Sequence, residues 1–368
     1  MVIVKAPAIY INKPNILASG GERITLIGRK LLIIGGKTAL TAAAPLLASL
    51  DEVKAEYEIH TFAGYPTLEQ IARYVSVASG KGYEAVVGIG GGKALDVVKA
   101  VAERLELPSI TVPTVAGTCA AWSALTVLYD NEGRSAGYLP LNQSPQLVLA
   151  DTRVLAAAPR RYLASGIADT YVKWNETAVN MKNLHSDLDI RLSVHTSLLA
   201  VEVLDRYAQE AYEAAYEDEV TWAFHETSQA IIWLAGQVGS VTGGQPRIAL
   251  AHALHDCLTQ FPETKDTLHG EKIAFSLIVH AILQGLPHEE ILQLAGKLHK
   301  LHLPVTLEQL GFWGNAEQHA EAIAKVFPLE KVQAIKLPFT VDREKIALAI
   351  VQADLTGKRV IGLASPVS

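Results

Sequence analysis

The chain has 368 residues, of which 49% are hydrophobic and 19% are charged, and its formal net charge is −6. This composition supplies apolar material for two buried cores and excludes an intrinsically disordered chain. Lys and Arg form no cluster of the kind that neutralises phosphates, so we expect no nucleic-acid partner. Two cysteines, Cys119 and Cys257, are too few for a disulfide framework, which favours a reducing compartment.

Residues 1–14 lack the apolar core and small-residue cleavage site of a signal peptide. No apolar run reaches the ~20 residues that a membrane-spanning helix needs. We therefore expect a cytoplasmic protein with no membrane partner.

Short β-branched runs alternate with amphipathic stretches over the first ~150 residues, which predicts a parallel sheet flanked by helices. The predicted strands span 30–36, 55–62, 84–91, 109–114 and 146–151, and predicted helices span 68–79 and 94–105. After Asp151, strand-like runs nearly vanish and Ala- and Leu-rich amphipathic segments follow. We expect an α/β nucleotide-binding domain at 1–153 and an all-α domain at 154–368. In the first domain, a ligand should bind beyond the carboxyl ends of the strands.

The run GIGGGKALDVVK at 88–99 follows a predicted strand and leads into a predicted helix. Glycine at this density suits a loop that a ligand approaches closely, because each Gly inside a helix or strand costs roughly 0.5–1 kcal/mol relative to Ala. The run fits neither G-x-G-x-x-G, since Lys93 takes the third Gly position, nor the P-loop, since Val87 and Ala94 replace required residues. The free N–H groups of the following helix still favour a phosphate. A glycine-rich turn without a ligand is the alternative.

A short stretch of sequence in the predicted helical domain contains three histidines, His252, His255 and His269. Asp169 lies on another predicted helix, which is rich in apolar residues. Two imidazoles and one carboxylate would leave an open position on a catalytic divalent metal. Each histidine taken singly is explained as well by a structural role. Spacing alone therefore does not decide whether a metal binds here.

The chain resembles the glycerol dehydrogenase group of the iron-containing alcohol dehydrogenase family in four segments: GGGKALDVVKA (90–100), PTVAGTCAAWSALTVLYDNEG (113–133), GIADTYVKW (166–174) and AHALHD to LHGEKIAF (251–275). The resemblance implies a dehydroquinate synthase-like fold and hydride transfer between a nicotinamide cofactor and a hydroxyl or carbonyl carbon. It implies Asp169, His252 and His269 as metal ligands and His255 as a non-ligand that hydrogen-bonds or relays a proton. The residues that it implies for cofactor binding are Gly90, Gly91, Gly92, Lys93, Asp96, Thr114, Gly117, Thr118, Ser123, Leu125 and Tyr129.

One departure from the family pattern bears on the cofactor. Gly36 stands where NAD-using relatives typically carry an Asp, whose carboxylate binds the adenosine ribose and repels a 2′-phosphate. Gly36 removes that repulsion, and Lys37 adds attraction. We therefore predict a preference for NADP(H), with NAD(H) possible; a simple tight turn in an NAD enzyme is the alternative.

Two further departures bear on the substrate and the metal. Cys119 and Trp122 stand where glycerol dehydrogenases usually have Asp and Thr. Without that Asp, a polyol loses a partner for its hydroxyl groups, and an anionic substrate meets less repulsion. Trp122 reshapes the substrate pocket. Lys173 stands where iron-binding relatives carry another His ligand. An ammonium is no metal ligand, so we predict Zn²⁺ rather than Fe²⁺. Lys173 either pairs with Asp169 one helical turn away or receives a substrate carboxylate.

These departures resemble the hydroxycarboxylate dehydrogenase branch of the family. We predict a metal-dependent oxidoreductase that transfers hydride between NADP(H) and a small 2-oxo or 2-hydroxy acid, with His255, Lys173, Cys119 and Trp122 near the substrate. The alternatives are an NAD-dependent dehydrogenase of glycerol or another small polyol, and an inactive cofactor-binding protein. By analogy with the family we expect a homo-oligomer.

Overall fold

The structure is a computed structural model, and it describes residues 3–178, 188–215, 220–242, 250–334 and 337–364. The chain divides into two compact units, each built from two stretches of sequence. Unit 1 comprises Met1–Leu163 and Glu202–Thr242, and unit 2 comprises Ala164–Val201 and Gly243–Ser368.

The strands of the described residues are β1 (Ile3–Val4), β2 (Ile9–Lys13), β3 (Lys30–Gly35), β4 (Glu56–Thr61), β5 (Ala85–Gly90), β6 (Ser109–Pro113), β7 (Leu125–Tyr129), β8 (Ser135–Pro140), β9 (Leu147–Asp151) and β10 (Val241–Thr242). Six of them form one sheet in the order β2-β9-β6-β5-β3-β4, and every neighbouring pair in it is parallel. The predicted parallel sheet is confirmed. Its edge strand β2 was not predicted, and neither were two antiparallel pairs, β7 with β8 and β1 with β10.

The α-helices of the described residues are α1 (Gly20–Thr25), α2 (Lys37–Ala42), α3 (Ala44–Glu52), α4 (Leu68–Ala78), α5 (Gly92–Leu105), α6 (Thr152–Ala156), α7 (Arg160–Ala178), α8 (Leu188–Glu213), α9 (Trp222–Gln229), α10 (Ala235–Ser240), α11 (Leu250–Leu258), α12 (His269–Gln284), α13 (His288–Lys300), α14 (Ala316–Val326), α15 (Leu329–Gln333) and α16 (Arg343–Ala364). Within unit 2, the described elements are all helical. The expected helical character of the C-terminal part is confirmed. None of the described helices is both long and apolar enough to cross a membrane.

Both faces of the six-stranded sheet are covered by apolar side chains, because successive residues of a strand point to opposite faces. On β3, Ile33 belongs to a buried cluster that includes Leu50 of α3, whereas Ile34 belongs to a second cluster that includes Val97 of α5. Helices on both faces leave the carboxyl ends of the parallel strands open to loops. The residues that follow β3, β5 and β6 therefore lie at one edge of the sheet.

The observed units differ from the predicted boundaries of 1–153 and 154–368, since Glu202–Thr242 belongs to unit 1. Long-range contacts explain the difference: β10 pairs with β1, the Trp122 indole N–H donates to Ser240 Oγ at 2.7 Å, and Asn12 Nδ2 donates to Ser228 Oγ at 3.1 Å. The helical composition of this segment does not reveal which unit it packs in. Helices α7 and α8 contribute residues to both units.

Candidate metal centre and cofactor site

Three side chains from separate helices of unit 2 converge at one point. Asp169 lies on α7, His252 on α11, and His269 is the first residue of α12. One potential ligand atom from each residue lies within 4.8 Å of the others. Asp169 Oδ1 is 3.2 Å from His269 Nε2 and 3.5 Å from His252 Nε2. The predicted ligand set is thus brought together by the fold.

Close packing at the start of α12 places His269 beside Asp169. The Gly270 N–H donates to Ser165 Oγ at 3.0 Å, and a Cβ added at Gly270 would lie 1.9 Å from the Ser165 carbonyl oxygen. Only glycine fits at this distance. The Glu271 carboxylate accepts the Leu268 N–H at 2.6 Å, which caps the helix that begins at His269.

The Asp169 carboxylate stays ionised in spite of its burial. The Asp169 side chain is 3% exposed. Burial by itself would raise the pKa of Asp169, but the Lys173 ammonium and hydrogen bonds from His252 and His269 outweigh it and hold that pKa well below its usual value. A carboxylate that stays ionised when buried is a strong attractor for a cation.

Glu176, which the sequence analysis did not identify, orients His252. Its Oε2 lies 2.8 Å from His252 Nδ1, and its Oε1 accepts the His252 backbone N–H at 3.1 Å. Burial would lower the pKa of His252, but Glu176 and Asp169 raise it to about 9. With the Nδ1 proton held by Glu176, Nε2 faces Asp169. The sequence carried one signal for Glu176: it follows Asp169 by seven residues and therefore lies on the same face of the helix.

His255 is buried beside the centre and contacts one of its members. Its Nε2 lies 3.0 Å from His269 Nδ1, and its Nδ1 lies 3.1 Å from Asp256 Oδ1. Burial, together with His269, lowers the pKa of His255 to about 3, so the ring is neutral at neutral pH. This placement agrees with the interpretation of His255 as a hydrogen-bonding neighbour outside the ligand set.

Lys173 forms the ion pair that was one of its two predicted roles. Its Nζ lies 3.1 Å from Asp169 Oδ1 and 3.4 Å from His252 Nε2. An ammonium donates no lone pair, so the centre offers one carboxylate oxygen and two imidazole nitrogens. This set fits a divalent cation with an open position, and each imidazole can ligate it only through an unprotonated nitrogen.

The glycine loop lies in unit 1, between a buried strand and a helix, as predicted. β5 ends at Gly90, Gly91 is extended, and α5 begins at Gly92. The Thr114 N–H donates to the Gly90 carbonyl at 3.1 Å, which ties this loop to the one after β6. The N-terminus of α5 therefore offers free N–H groups at the carboxyl edge of the sheet.

Other residues predicted to bind the cofactor lie around this loop. A Cβ added at Gly92 would lie 3.2 Å from Thr118 Oγ1, so the two segments are in close contact. Lys93 Nζ is 4.1 Å from the centre of the Tyr65 ring, which is 5.8 Å from the centre of the Tyr129 ring. Of the residues predicted to bind the cofactor, Gly117 is buried. The half-buried ones include Thr118, Ser123, Leu125 and Tyr129.

Gly36 and Lys37 lie at the same edge of the sheet. Gly36 follows β3, whose Gly35 pairs in register with Ile89 of β5, and it precedes α2 in an extended conformation. Lys37 is exposed, whereas Gly36 is half-buried. The nearest atoms to a Cβ added at Gly36, Ala39 Cβ and the Phe62 carbonyl oxygen, would be 4.0 Å away. A Cβ atom at position 36 is therefore accommodated in ordinary van der Waals contact.

Asp96, which the family resemblance implies for cofactor binding, has its carboxylate bound to partners within unit 1. Its carboxylate is buried, with Oδ1 2.9 Å from Lys99 Nζ and Oδ2 accepting the Val127 N–H at 3.2 Å. The negatively charged phosphates of a dinucleotide would also be repelled by the Asp96 carboxylate. Both oxygens of Asp96 thus have partners inside unit 1.

Trp122, which the sequence predicts to lie near the substrate and to reshape its pocket, packs against side chains of unit 1. Its ring is 5% exposed, lies 5.4 Å from the Tyr10 ring in an edge-to-face arrangement, and covers Gly236 so closely that a Cβ there would be 2.5 Å away. These contacts secure α10 to the rest of unit 1. Cys119 is half-buried at the start of the 3₁₀ helix Cys119–Ala121.

Comparisons with known proteins agree with this geometry. Residues 7–152 match the model of the iron-containing alcohol dehydrogenases. The chain is 31% identical over 364 residues to a glycerol dehydrogenase of Escherichia coli O6:H1, covering 98% of both chains. It is 30% identical over 356 residues to hydroxycarboxylate dehydrogenase A of Escherichia coli K12, covering 95% of this chain and 97% of the other.

The fold is also that of a solved relative. The crystal structure of a probable glycerol dehydrogenase from Sinorhizobium meliloti 1021 superposes with a TM-score of 0.86 at 25% identity, covering 98% of this chain and 100% of that one. The family resemblance and the fold predicted from sequence motifs are confirmed. The chain belongs to the iron-containing alcohol dehydrogenase family and is a metal-dependent oxidoreductase that acts on CH–OH groups.

Proposed function

We propose that the protein transfers hydride between a nicotinamide cofactor and a small polyol, with glycerol and short diols as the first substrates to test. The observation that carries the proposal is the convergence of Asp169, His252 and His269 in unit 2. Similarity to a glycerol dehydrogenase over 98% of both chains supports this substrate class over the 2-oxo acids favoured by the sequence.

The residues of the centre would hold the metal and leave room for one substrate oxygen. Asp169 supplies a buried carboxylate oxygen, and His252 and His269 supply nitrogen atoms once their protons have left. Glu176 keeps the proton of His252 on Nδ1. A bound divalent cation supplies Lewis-acid polarisation of the hydroxyl or carbonyl oxygen. We propose Zn²⁺ over Fe²⁺ because Lys173, which cannot ligate a metal, stands where iron-binding relatives carry another His ligand, and three protein ligands with one open position are typical of catalytic zinc sites.

A 2-oxo acid is the second candidate, and Cys119 is the observation that favours it. An uncharged side chain at this position does not repel a carboxylate, and one full-length relative is a hydroxycarboxylate dehydrogenase. Against it, the Lys173 ammonium already neutralises Asp169 at 3.1 Å, which reduces the charge it offers to a substrate carboxylate.

We further propose NADP(H) as the preferred cofactor, with NAD(H) also accepted. Gly36 carries no carboxylate that would repel a 2′-phosphate, and the exposed Lys37 follows it. Since a Cβ atom at position 36 meets no close contact, Gly36→Asp is a suitable test of the electrostatic argument. The homo-oligomer and the cytoplasmic location stay predictions.

The test is a matrix of activities measured on protein reconstituted with Zn²⁺ or Fe²⁺. Glycerol and 1,2-propanediol are assayed with NADP⁺ and NAD⁺, and 2-oxobutanoate and 2-oxoglutarate with NADPH and NADH. We expect the highest kcat/KM for a polyol with the zinc protein. Higher values for the 2-oxo acids would select the second candidate, and no turnover in any combination would overturn both.

The same matrix is repeated with Gly36→Asp to test the cofactor preference. We expect KM for NADP⁺ to rise at least about tenfold, because a carboxylate beside a 2′-phosphate is repulsive, while KM for NAD⁺ changes little. An unchanged ratio of the two KM values would show that Gly36 does not select the cofactor.

A further inference from the structure

A buried ion pair lies on α5, the helix that begins at the glycine loop. Lys99 Nζ is 2.9 Å from Asp96 Oδ1, and the two side chains are only 1% and 7% exposed. A buried ammonium is unfavourable unless charge and hydrogen-bond partners compensate for lost water. An apolar side chain would fill the same space without that requirement. The buried charge of Lys99 therefore needs an explanation in terms of the groups that it binds.

The pair holds one short segment, residues 123–127, against α5. Lys99 Nζ donates to the carbonyls of Ser123 at 3.0 Å and Leu125 at 2.5 Å. Asp96 Oδ2 accepts the Val127 N–H at 3.2 Å, and the Asp96 carbonyl accepts the Thr126 hydroxyl at 2.9 Å. Both members of the ion pair thus bind the backbone of the same segment.

This segment leads from the loop after β6 into β7, and that loop contacts the glycine loop at two of its residues, Thr114 and Thr118. The Thr114 N–H is bonded to the Gly90 carbonyl, and Thr118 touches Gly92. The first turn of α5 therefore adjoins the glycine loop, and its second turn provides the two side chains that bind residues 123–127.

We infer that Lys99 and Asp96 are positioning residues that join the glycine loop and residues 123–127 into one preformed surface for the dinucleotide. Rigid preformed surfaces bind more tightly because less ordering is needed on binding. Asp96 acts here through the backbone of β7 and not by contact with a phosphate. The inference rests on the proposed cofactor site, so its test includes a measurement made without cofactor.

The main variant is the double substitution Asp96→Leu with Lys99→Met, which removes both charges at nearly constant volume and leaves no unpaired buried ion. The control is Leu50→Ala, a destabilising change in the apolar cluster on the opposite face of the sheet. In the cofactor-free protein, amide hydrogen exchange across 123–129 should be roughly tenfold faster in the double variant, while β5 stays protected. In the control, residues 123–129 should exchange as in the wild type.

The second readout is the dissociation constant for NADPH, and for NADH, from cofactor fluorescence well below the unfolding temperature. We expect it to be at least about tenfold higher in the double variant and close to wild type in Leu50→Ala. Wild-type exchange at 123–129 or an unchanged dissociation constant would overturn the inference. If the wild type binds neither cofactor, the proposed function fails, and the exchange data alone still decide whether the pair positions the segment.

Discussion

Two Asp–Lys pairs with the same charges and nearly the same helical spacing have different surroundings in the two units. Around Asp96 and Lys99 the partners are backbone groups of unit 1, and the lysine is 1% exposed. Around Asp169 and Lys173 the partners are imidazole rings, and the lysine is 19% exposed. A helical Asp–Lys pair therefore has no fixed role: backbone partners give it a structural role, whereas imidazole partners place it among groups that could hold a cation.

Loss of a ligand should have the largest effect. We expect His252→Ala to lower kcat/KM by more than about 100-fold, because even outer partners of metal ligands typically cost 10–100-fold. The measurement is steady-state kinetics on metal-reconstituted protein, with folding checked by circular dichroism. His299→Ala, on α13 of the same unit, is the control for a histidine outside the centre. Activity of His252→Ala within tenfold of wild type would contradict the assignment.

Removal of the buried lysine should reduce stability, unlike removal of an exposed one. Lys99→Met leaves Asp96 as an unpaired buried charge, so we expect a loss of roughly 3–5 kcal/mol in the free energy of unfolding. Lys81→Met removes a surface ion pair with Glu58 and should change that free energy very little. Chemical denaturation of both variants checks this, and equal losses would mean that Lys99 is not held as described.

A smaller effect is expected for Glu176→Gln. The amide keeps the volume but removes the charge that holds the proton on His252 Nδ1. We expect Zn²⁺ affinity, measured by competition with a chelator, to fall about 10–100-fold while the fold stays intact. Glu226→Gln, in unit 1, serves as the matched control. Wild-type affinity in Glu176→Gln would mean that Glu176 only packs beside His252.

Local sequence patterns predicted five of the six parallel strands, because apolar β-branched runs are characteristic of buried strands. The edge strand β2, whose residues are half-buried or exposed, was missed. The β7–β8 hairpin was missed although its turn signal was present: Gly133, with φ +85°, closes the turn that follows Tyr129. The pairing of β1 with β10 joins residues far apart in sequence, and no local pattern carries that information.

The candidate site shows the same division. His252 and His269 were proposed as ligands from the family resemblance, and the structure places both beside Asp169. The contact of Glu176 with His252 depends on the packing of α11 against α7, which sequence spacing does not reveal. Asp96 was assigned to the cofactor because of its place in the glycine-rich motif. Its buried position and its contact with Val127, 31 residues away, depend on tertiary structure.

The most direct test of the account compares the two aspartates by their effect on metal content. Asp169→Asn and Asp96→Asn are loaded with Zn²⁺, freed of excess metal and analysed by elemental mass spectrometry as folded protein. We predict about one zinc per chain in the wild type and in Asp96→Asn, and almost none in Asp169→Asn, because only Asp169 supplies a ligand. A full zinc content in Asp169→Asn would contradict the assignment of the metal centre.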